Sequence, residues 1–249
     1  MAVEINLENK VALVTGGTRG IGKAIVNELL QSGAKVFATG TNLTQVEKLN
    51  KKNKNSLLTY LQLDLSEPNN VRKFISKTLK VTDIDILVNN AGINKVSDAD
   101  IISDEEFLQI QEINVHGPFL LAQAFGKQML NKNWGRIINI SSIWGVVTRP
   151  GRLSYSASKM ALLGISKTLA VEWAKNNVLV NSVSPGFTLT ELTKTTNTKQ
   201  ELKEIKNKIP QNRLALPEEI AKGVLFLSSN LNSYIVGQNL IIDGGYTAI

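Results

Sequence analysis

A chain of 249 residues with 43% hydrophobic content is long enough for one large α/β domain around a buried core. With no cysteine and a single histidine, His116, it excludes disulfides, cysteine nucleophiles and multi-histidine zinc sites, so no metal is expected. Lys and Arg outnumber Asp and Glu by 28 to 21, a net charge of +7 that favours anionic ligands or an acidic partner, or merely solubility. The densest basic run, Lys48 to Asn55, has no interleaved aromatics, so nucleic acid is not an expected partner. The first residues lack a basic stretch followed by an apolar run, and nowhere do about 18 uncharged apolar residues occur together. Neither export nor membrane spanning is therefore expected, which makes the cytoplasm the expected location.

In chain order, short runs rich in Val and Ile alternate with segments of helical period. KVALVT (10–15) leads to an amphipathic stretch from Ile21, then AKVFAT (34–39), SLLTYLQL (56–63) and DILVNN (85–90) follow, each separated by a helical segment. GRIINIS (135–141), VLVNSVS (178–184) and NLIID (239–243) complete seven candidate strands. This alternation predicts βαβ units: a doubly wound Rossmann-type α/β fold with a seven-stranded parallel sheet and helices on both faces. No linker or composition break divides residues 1–249, so one domain is expected. Between Phe187 and Pro210 polar residues dominate, and this segment reads either as a lid over a ligand or as a disordered insertion.

TGGTRGIG, Thr15 to Gly22, follows the first strand and opens a helix. Glycines there permit positive φ and let backbone N–H groups approach a pyrophosphate; a plain tight turn is the alternative. At the end of the second strand, where a site selecting NAD(H) would place an acidic residue, stand Thr39, Gly40, Thr41 and Asn42. Without a carboxylate to repel a 2′-phosphate, and with Arg19 in the cradle, NADP(H) is the expected cofactor and NAD(H) remains possible. Arg19 could instead be an ordinary solvent-facing charge.

SYSASK (154–159) puts Tyr155 and Lys159 one helical turn apart, on one face. Together with the cradle, NNAG at 89–92, Asn114, the pair Ser141 and Ser142, Pro185 and Gly186, and the closing Asp243 to Gly245, it makes the chain resemble the short-chain dehydrogenase/reductase family nearly end to end.

The resemblance implies a catalytic tetrad. Tyr155 is the general acid in carbonyl reduction and, ionised, the base in alcohol oxidation. A free phenol, with pKa near 10, is a poor base at neutral pH, and Lys159 supplies the charge that lowers it while binding the nicotinamide ribose. Ser142 hydrogen-bonds the substrate oxygen, and Asn114, in a helix, binds backbone and holds a water in a relay to Lys159. The implied cofactor surface starts with Gly16, Thr18, Arg19, Gly20, Ile21 and Gly22 of the cradle. It continues with Thr41, with Asp64 and Leu65 after the third strand, and with Asn89, Ala91 and Gly92 on the adenosine side. Asp64 either faces the adenine or caps the following segment. Pro185 and Gly186 turn the chain beneath the nicotinamide, with Thr190 and Thr188 as rivals for its carboxamide. No role transfers to His116, which reads as packed or solvated.

Within the family the chain is most similar to bacterial 3-oxoacyl-(acyl-carrier-protein) reductases, which implies a carbonyl or acyl-thioester substrate, an acidic carrier protein as a possible partner, and a homotetramer. Trp144, Arg149 and Arg152 depart from that subgroup at the expected substrate entrance. Asn133 and Asn176, beside Lys132 and Lys175, stand where carrier docking would want arginine. Arg152 could meet a small anionic or hydroxylated substrate, or only solvent. Two further readings remain: a sugar, polyol or other secondary-alcohol dehydrogenase, and a cofactor-binding protein without turnover, against which the intact tetrad argues.

Overall fold

The computed structural model describes residues 4–191, 193 and 198–248. Strands and helices alternate as β1 (Val11–Val14), α1 (Gly20–Gln31), β2 (Lys35–Gly40), α2 (Leu43–Lys52), β3 (Leu58–Gln62), α3 (Pro68–Leu79) and β4 (Ile86–Asn89). Then come α4 (Asp104–Gln111), α5 (Gly117–Lys132), β5 (Gly135–Ile140), α6 (Leu153–Trp173), β6 (Val178–Pro185), α7 (Lys199–Asn207), α8 (Pro217–Ser228) and β7 (Asn239–Ile242). Among the described residues the strands form one parallel sheet in the order β3-β2-β1-β4-β5-β6-β7, the doubly wound Rossmann arrangement that the alternation predicts.

Period-two alternation decides which layer each strand residue serves. Ala12 and Val14 of β1 face the layer holding α1 and α8, while Leu13 between them faces α3, α5 and α6. The central strands are covered on both sides, hence their near-continuous apolar runs. Helix starts use local chemistry: Asn42 accepts from the Gln45 amide at 2.8 Å, and Ser103 caps α4 ahead of three acidic residues that complement its dipole. Between α4 and α5 the chain winds through one π-helical turn, Glu112–His116, an irregularity frequent at functional sites. His116 there pairs with Glu112 at 2.7 Å and stacks on Phe119.

The strand order reverses between β1 and β4, so their following loops part in opposite directions and leave a crevice at the carboxyl ends. Of the segment from Phe187 to Pro210, residues 192 and 194–197 lie outside the described residues. The remainder contains α7, opened by a reciprocal Thr198–Glu201 cap. Ile205 and Ile209 pack with Leu214, Phe187 and Tyr246 in a cluster separate from the two sheet faces. Among the described residues no helix is long and apolar enough to cross a membrane.

Two glycines test this packing. A Cβ at Gly126 in α5 would sit 2.6 Å from the Trp173 ring, whereas one at Gly164 in α6 would meet nothing within 4 Å. Gly126→Ala is expected to lower stability by about 1–3 kcal/mol through overpacking. Gly164→Ala should raise it by up to about 1 kcal/mol through helix propensity. Urea midpoints at equal m values measure both; a neutral or stabilising Gly126→Ala would contradict the contact.

Candidate active site

The crevice holds a cavity of about 530 Å³, with the glycine-rich turn after β1 as one wall and the start of α6 as the other. Thr15 ties the cradle to its neighbour: its hydroxyl oxygen accepts from the Asn90 and Ala91 amides at 2.9 and 3.0 Å. Asn90 answers by donating its side-chain amide to the Thr15 carbonyl at 2.9 Å and the Gly16 carbonyl at 3.3 Å. The Gly16 amide donates to the Thr39 hydroxyl at 3.3 Å, so β2 braces the same turn.

The residues present fit a dinucleotide pyrophosphate. Gly16 and Gly20 have φ of +65° and +53°, a region that side chains disfavour. A Cβ on Gly22 would fall 2.2 Å from the Gly16 carbonyl oxygen, so only glycine allows the helix start to approach the turn this closely. Helix α1 begins without a side-chain cap or an acid in its first turn, which leaves its first amides and positive dipole end for an anion. Thr18, Arg19 and Ile21 line the same wall. Across from them, exposed Thr41 lines the cavity and Asn42 spends its side chain on capping α2. No carboxylate stands at the end of β2.

Asp64 and Leu65 also line the cavity. One Asp64 oxygen accepts from the Ser66 amide and hydroxyl at 2.9 and 2.8 Å, so Asp64 caps the following segment and faces the cavity at once. Ala91 and Gly92 line it as expected. Asn89 does not: it is 1% exposed and donates to Asn139 at 2.8 Å inside the protein, which corrects its assignment to the cofactor surface. Asn89 still belongs to β4, and one step along the strand reverses the face, so Asn90 carries the contact with the cradle.

Three of the tetrad residues stand on the opposite wall, with Asn114 buried behind it. Asn114, fully buried in the π-helical turn, accepts from the Ile93 amide at 2.9 Å, donates to the Ile93 carbonyl at 2.9 Å, and donates to Ser158 at 3.0 Å. Its backbone-binding role explains an asparagine where helix propensity disfavours one. Ser158 in turn donates to the Tyr155 carbonyl at 2.7 Å. Lys159 is buried, with its ammonium donating to the Ile140 carbonyl at 2.8 Å and lying 5.5 Å from the Tyr155 ring centre. Ser142 lies two residues past β5 and caps the next turn, accepting from the Trp144 amide at 3.2 Å. Ser142, Tyr155 and Lys159 all line the cavity.

Burial shapes the acidity here. It lowers Lys159 to about 8 and raises the half-buried Tyr155 phenol, against which a hydrogen bond with Ser142 and the positive charge of Arg152 both act. Besides Lys159, whose ammonium lies 5.5 Å from the Tyr155 ring centre, Arg152 also acts on the phenol, a role that the sequence did not reveal.

The substrate-side wall is aromatic and cationic. Trp144, Phe187 and Tyr246 meet edge to face with ring centres 5.4–6.3 Å apart. Arg149 lies over Trp144, and Arg152 precedes α6. Pro185, Gly186, Thr188 and Thr190 close the floor. A Cβ on Gly186 would come 2.7 Å from the Asp243 Cα, the close approach that pairs the Pro-Gly turn with the C-terminal Asp-Gly-Gly. The Thr188 hydroxyl donates to the Gly186 carbonyl at 3.1 Å, while that of Thr190 pairs with Thr193 at 3.0 Å; both line the cavity.

A family model described as enoyl-(acyl carrier protein) reductase matches residues 16–247. The chain is 39% identical to a 3-oxoacyl-(acyl-carrier-protein) reductase of Aquifex aeolicus, over 98% of this chain and 99% of that protein. It is 38% identical to an NAD-dependent glycerol dehydrogenase of Listeria innocua, over 98% and 96% respectively. Among solved structures, a gluconate 5-dehydrogenase from Burkholderia cenocepacia in complex with NADP and tartrate superposes with a TM-score of 0.92 at 29% identity, covering 98% of this chain and 97% of that one. Strand order, cradle and near full-length similarity agree: the chain belongs to the short-chain dehydrogenase/reductase family.

Proposed function

We propose that this oxidoreductase uses NADP(H) to interconvert a carbonyl and a secondary alcohol, with 3-oxoacyl compounds as its substrate class. The observation that carries the reading is one cavity whose opposite walls are the glycine cradle and the cluster of Ser142, Tyr155 and Lys159. The name of the Aquifex relative supports the substrate class. NADP is favoured by the bound cofactor of the Burkholderia protein and by the missing carboxylate at Thr41; the NAD-dependent Listeria relative leaves NAD(H) as a second cofactor. A sugar or polyol dehydrogenase is the second reading, favoured by the glycerol and gluconate enzymes among the similar proteins.

When bound, the nicotinamide supplies the hydride, chemistry that no side chain of the chain can supply. Gly16, Gly20, Gly22 and the first amides of α1 hold the pyrophosphate, and Arg19 with Thr41 receives the 2′-phosphate. Thr18, Ile21, Asp64, Leu65, Ala91 and Gly92 shape the adenosine side, while Pro185, Gly186, Thr188 and Thr190 support the nicotinamide end. Tyr155 gives its phenolic proton to the substrate oxygen during reduction and takes it back during oxidation. Ser142 donates to that oxygen as negative charge grows there. The Lys159 and Arg152 charges favour the phenolate left behind. Asn114 holds the Ile93 backbone and Ser158, and through them the start of α6. The described part of the segment from 187 to 210 acts as the lid, a reading supported by Phe187 and Glu191 in the cavity wall.

Delivery by an acyl carrier protein is the finer possibility. At the expected docking end, Lys132 is paired with Asp83 at 2.9 Å and Asn176 donates to Asn133 at 2.9 Å, so a carrier would have to displace these contacts. A tetramer through the long helices α5 and α6 is part of the same reading.

Tyr155→Phe is expected to cut turnover by roughly 10²–10⁴-fold while leaving the NADPH dissociation constant within about threefold; retention of a tenth of the activity would remove Tyr155 as the acid. Thr41→Asp should reduce the NADPH-over-NADH preference at least tenfold, about 1.4 kcal/mol, measured as a ratio of kcat/KM values. For the pH profile the sign follows from a lowered lysine: the Lys159 ammonium is present below about 8 and lost above it. Carbonyl reduction should accordingly fall as pH rises through that value, and a rate still climbing at pH 9 would oppose the assignment.

A further inference from the structure

The turn that leads into α6 brings two guanidinium groups to the cavity beside Tyr155. Arg149 lies with its guanidinium carbon 5.2 Å from the Trp144 ring centre, and half-buried Arg152 is the residue just before the helix. The Nε of Arg152 is buried without a hydrogen-bond partner. Among the described residues neither guanidinium is part of an ion pair.

The other charged residues of the cavity wall are Arg19, Asp64, Lys159 and Glu191. Asp64 is committed to Ser66 next to the cradle. Lys159 and Arg19 add positive charge. Exposed Glu201, in the first turn of α7, feels Arg149 without forming an ion pair with it. Desolvation and the like charge of Arg149 pull the Arg152 pKa down, and Tyr155 acts in the opposite direction. A guanidinium partly removed from water, with donors unmet, is costly against an apolar ligand and strongly favourable against a carboxylate or phosphate that takes two of its N–H groups.

Arg152 caps the start of α6 three residues before Tyr155, and both line the same cavity, close enough for the guanidinium charge to act on the phenol. A substrate oxygen on Tyr155 is therefore near the guanidinium. We propose that Arg152, assisted by Arg149, is a specificity-determining residue that selects substrates bearing an anionic group within a few bonds of the reacting carbonyl. Trp144 and Phe187 wall the short carbon chain between them. The inference rests on the redox reading above and redirects it from thioesters to small oxo or hydroxy anions, in which a carboxylate or phosphate stands where the thioester would continue.

Calorimetric titration and NADPH-dependent turnover of the full chain with two matched pairs test it: acetoacetate against its methyl ester, and dihydroxyacetone phosphate against dihydroxyacetone. The expected result is at least tenfold tighter binding of the anion in one pair, falling at least fivefold in Arg152→Gln and partly restored in Arg152→Lys. The acid pair alone identifies a carboxylate, the phosphorylated pair alone a phosphate. Should Arg152→Gln not fold, as judged by circular dichroism, Arg149→Gln must lower the preference in the same direction. Equal affinity within both pairs, or a preference that survives Arg152→Gln, overturns the assignment. Anion-selective binding without turnover would uphold the pair and remove the redox reading. Turnover without selectivity would do the reverse.

Discussion

The side chain of Thr15 sits where β1 and β4 part, and its oxygen accepts from two consecutive backbone amides of the neighbouring loop. From that point a continuous line of short contacts crosses the molecule. Asn90 and Ala91 lead to Gly92, where a Cβ would lie 3.1 Å from the Asn114 side-chain oxygen. Asn114 holds Ile93 at both backbone groups and reaches Ser158, which binds the Tyr155 carbonyl. Cradle and proton donor thus belong to one hydrogen-bonded frame. Glycine at 92 suits that frame, because a Cβ there would crowd the Asn114 oxygen and touch the Lys159 ammonium, 3.5 Å from the same point.

Low polarity around the catalytic wall has two opposed effects. It strengthens each electrostatic interaction there, yet it also disfavours the charged forms of both Tyr155 and Lys159. The chain manages this by giving the lysine a backbone carbonyl, Ile140, and the phenol a hydroxyl and a guanidinium. Such an arrangement keeps the phenol protonated, ready to act as an acid, and leaves its ionisation responsive to whichever cations and ligands enter the cavity.

Much of this was legible in the sequence because it depends on spacing. Seven β-rich runs separated by helical periods specify the sheet, and Tyr155 with Lys159 needs only one helical turn to share a face. The glycines of the cradle are readable for a related reason, since few structures demand so many in a strand-to-helix turn. What escaped was set by register or by folding across long separations. Whether Asn89 or Asn90 meets the cradle turns on a single step at the end of β4. The ion pair of Lys132 with Asp83 and the contact between Asn133 and Asn176 join residues more than 40 positions apart. The influence of Arg152 on Tyr155 lay within three residues, but it depends on both groups facing one cavity, which spacing cannot report.

Helix α6 is fastened to the sheet well beyond its catalytic turns. The hydroxyl of Ser166, two turns past Lys159, receives the Asn139 amide from β5 and the Ser182 hydroxyl from β6, both at 2.8 Å, and Asn139 is held in turn by Asn89 of β4. These polar pegs tie three strands and the helix together. Changes deep in the sheet therefore have a mechanical path to the reacting oxygen, and homologues that replace these pegs with apolar groups would tune activity from positions no ligand ever touches.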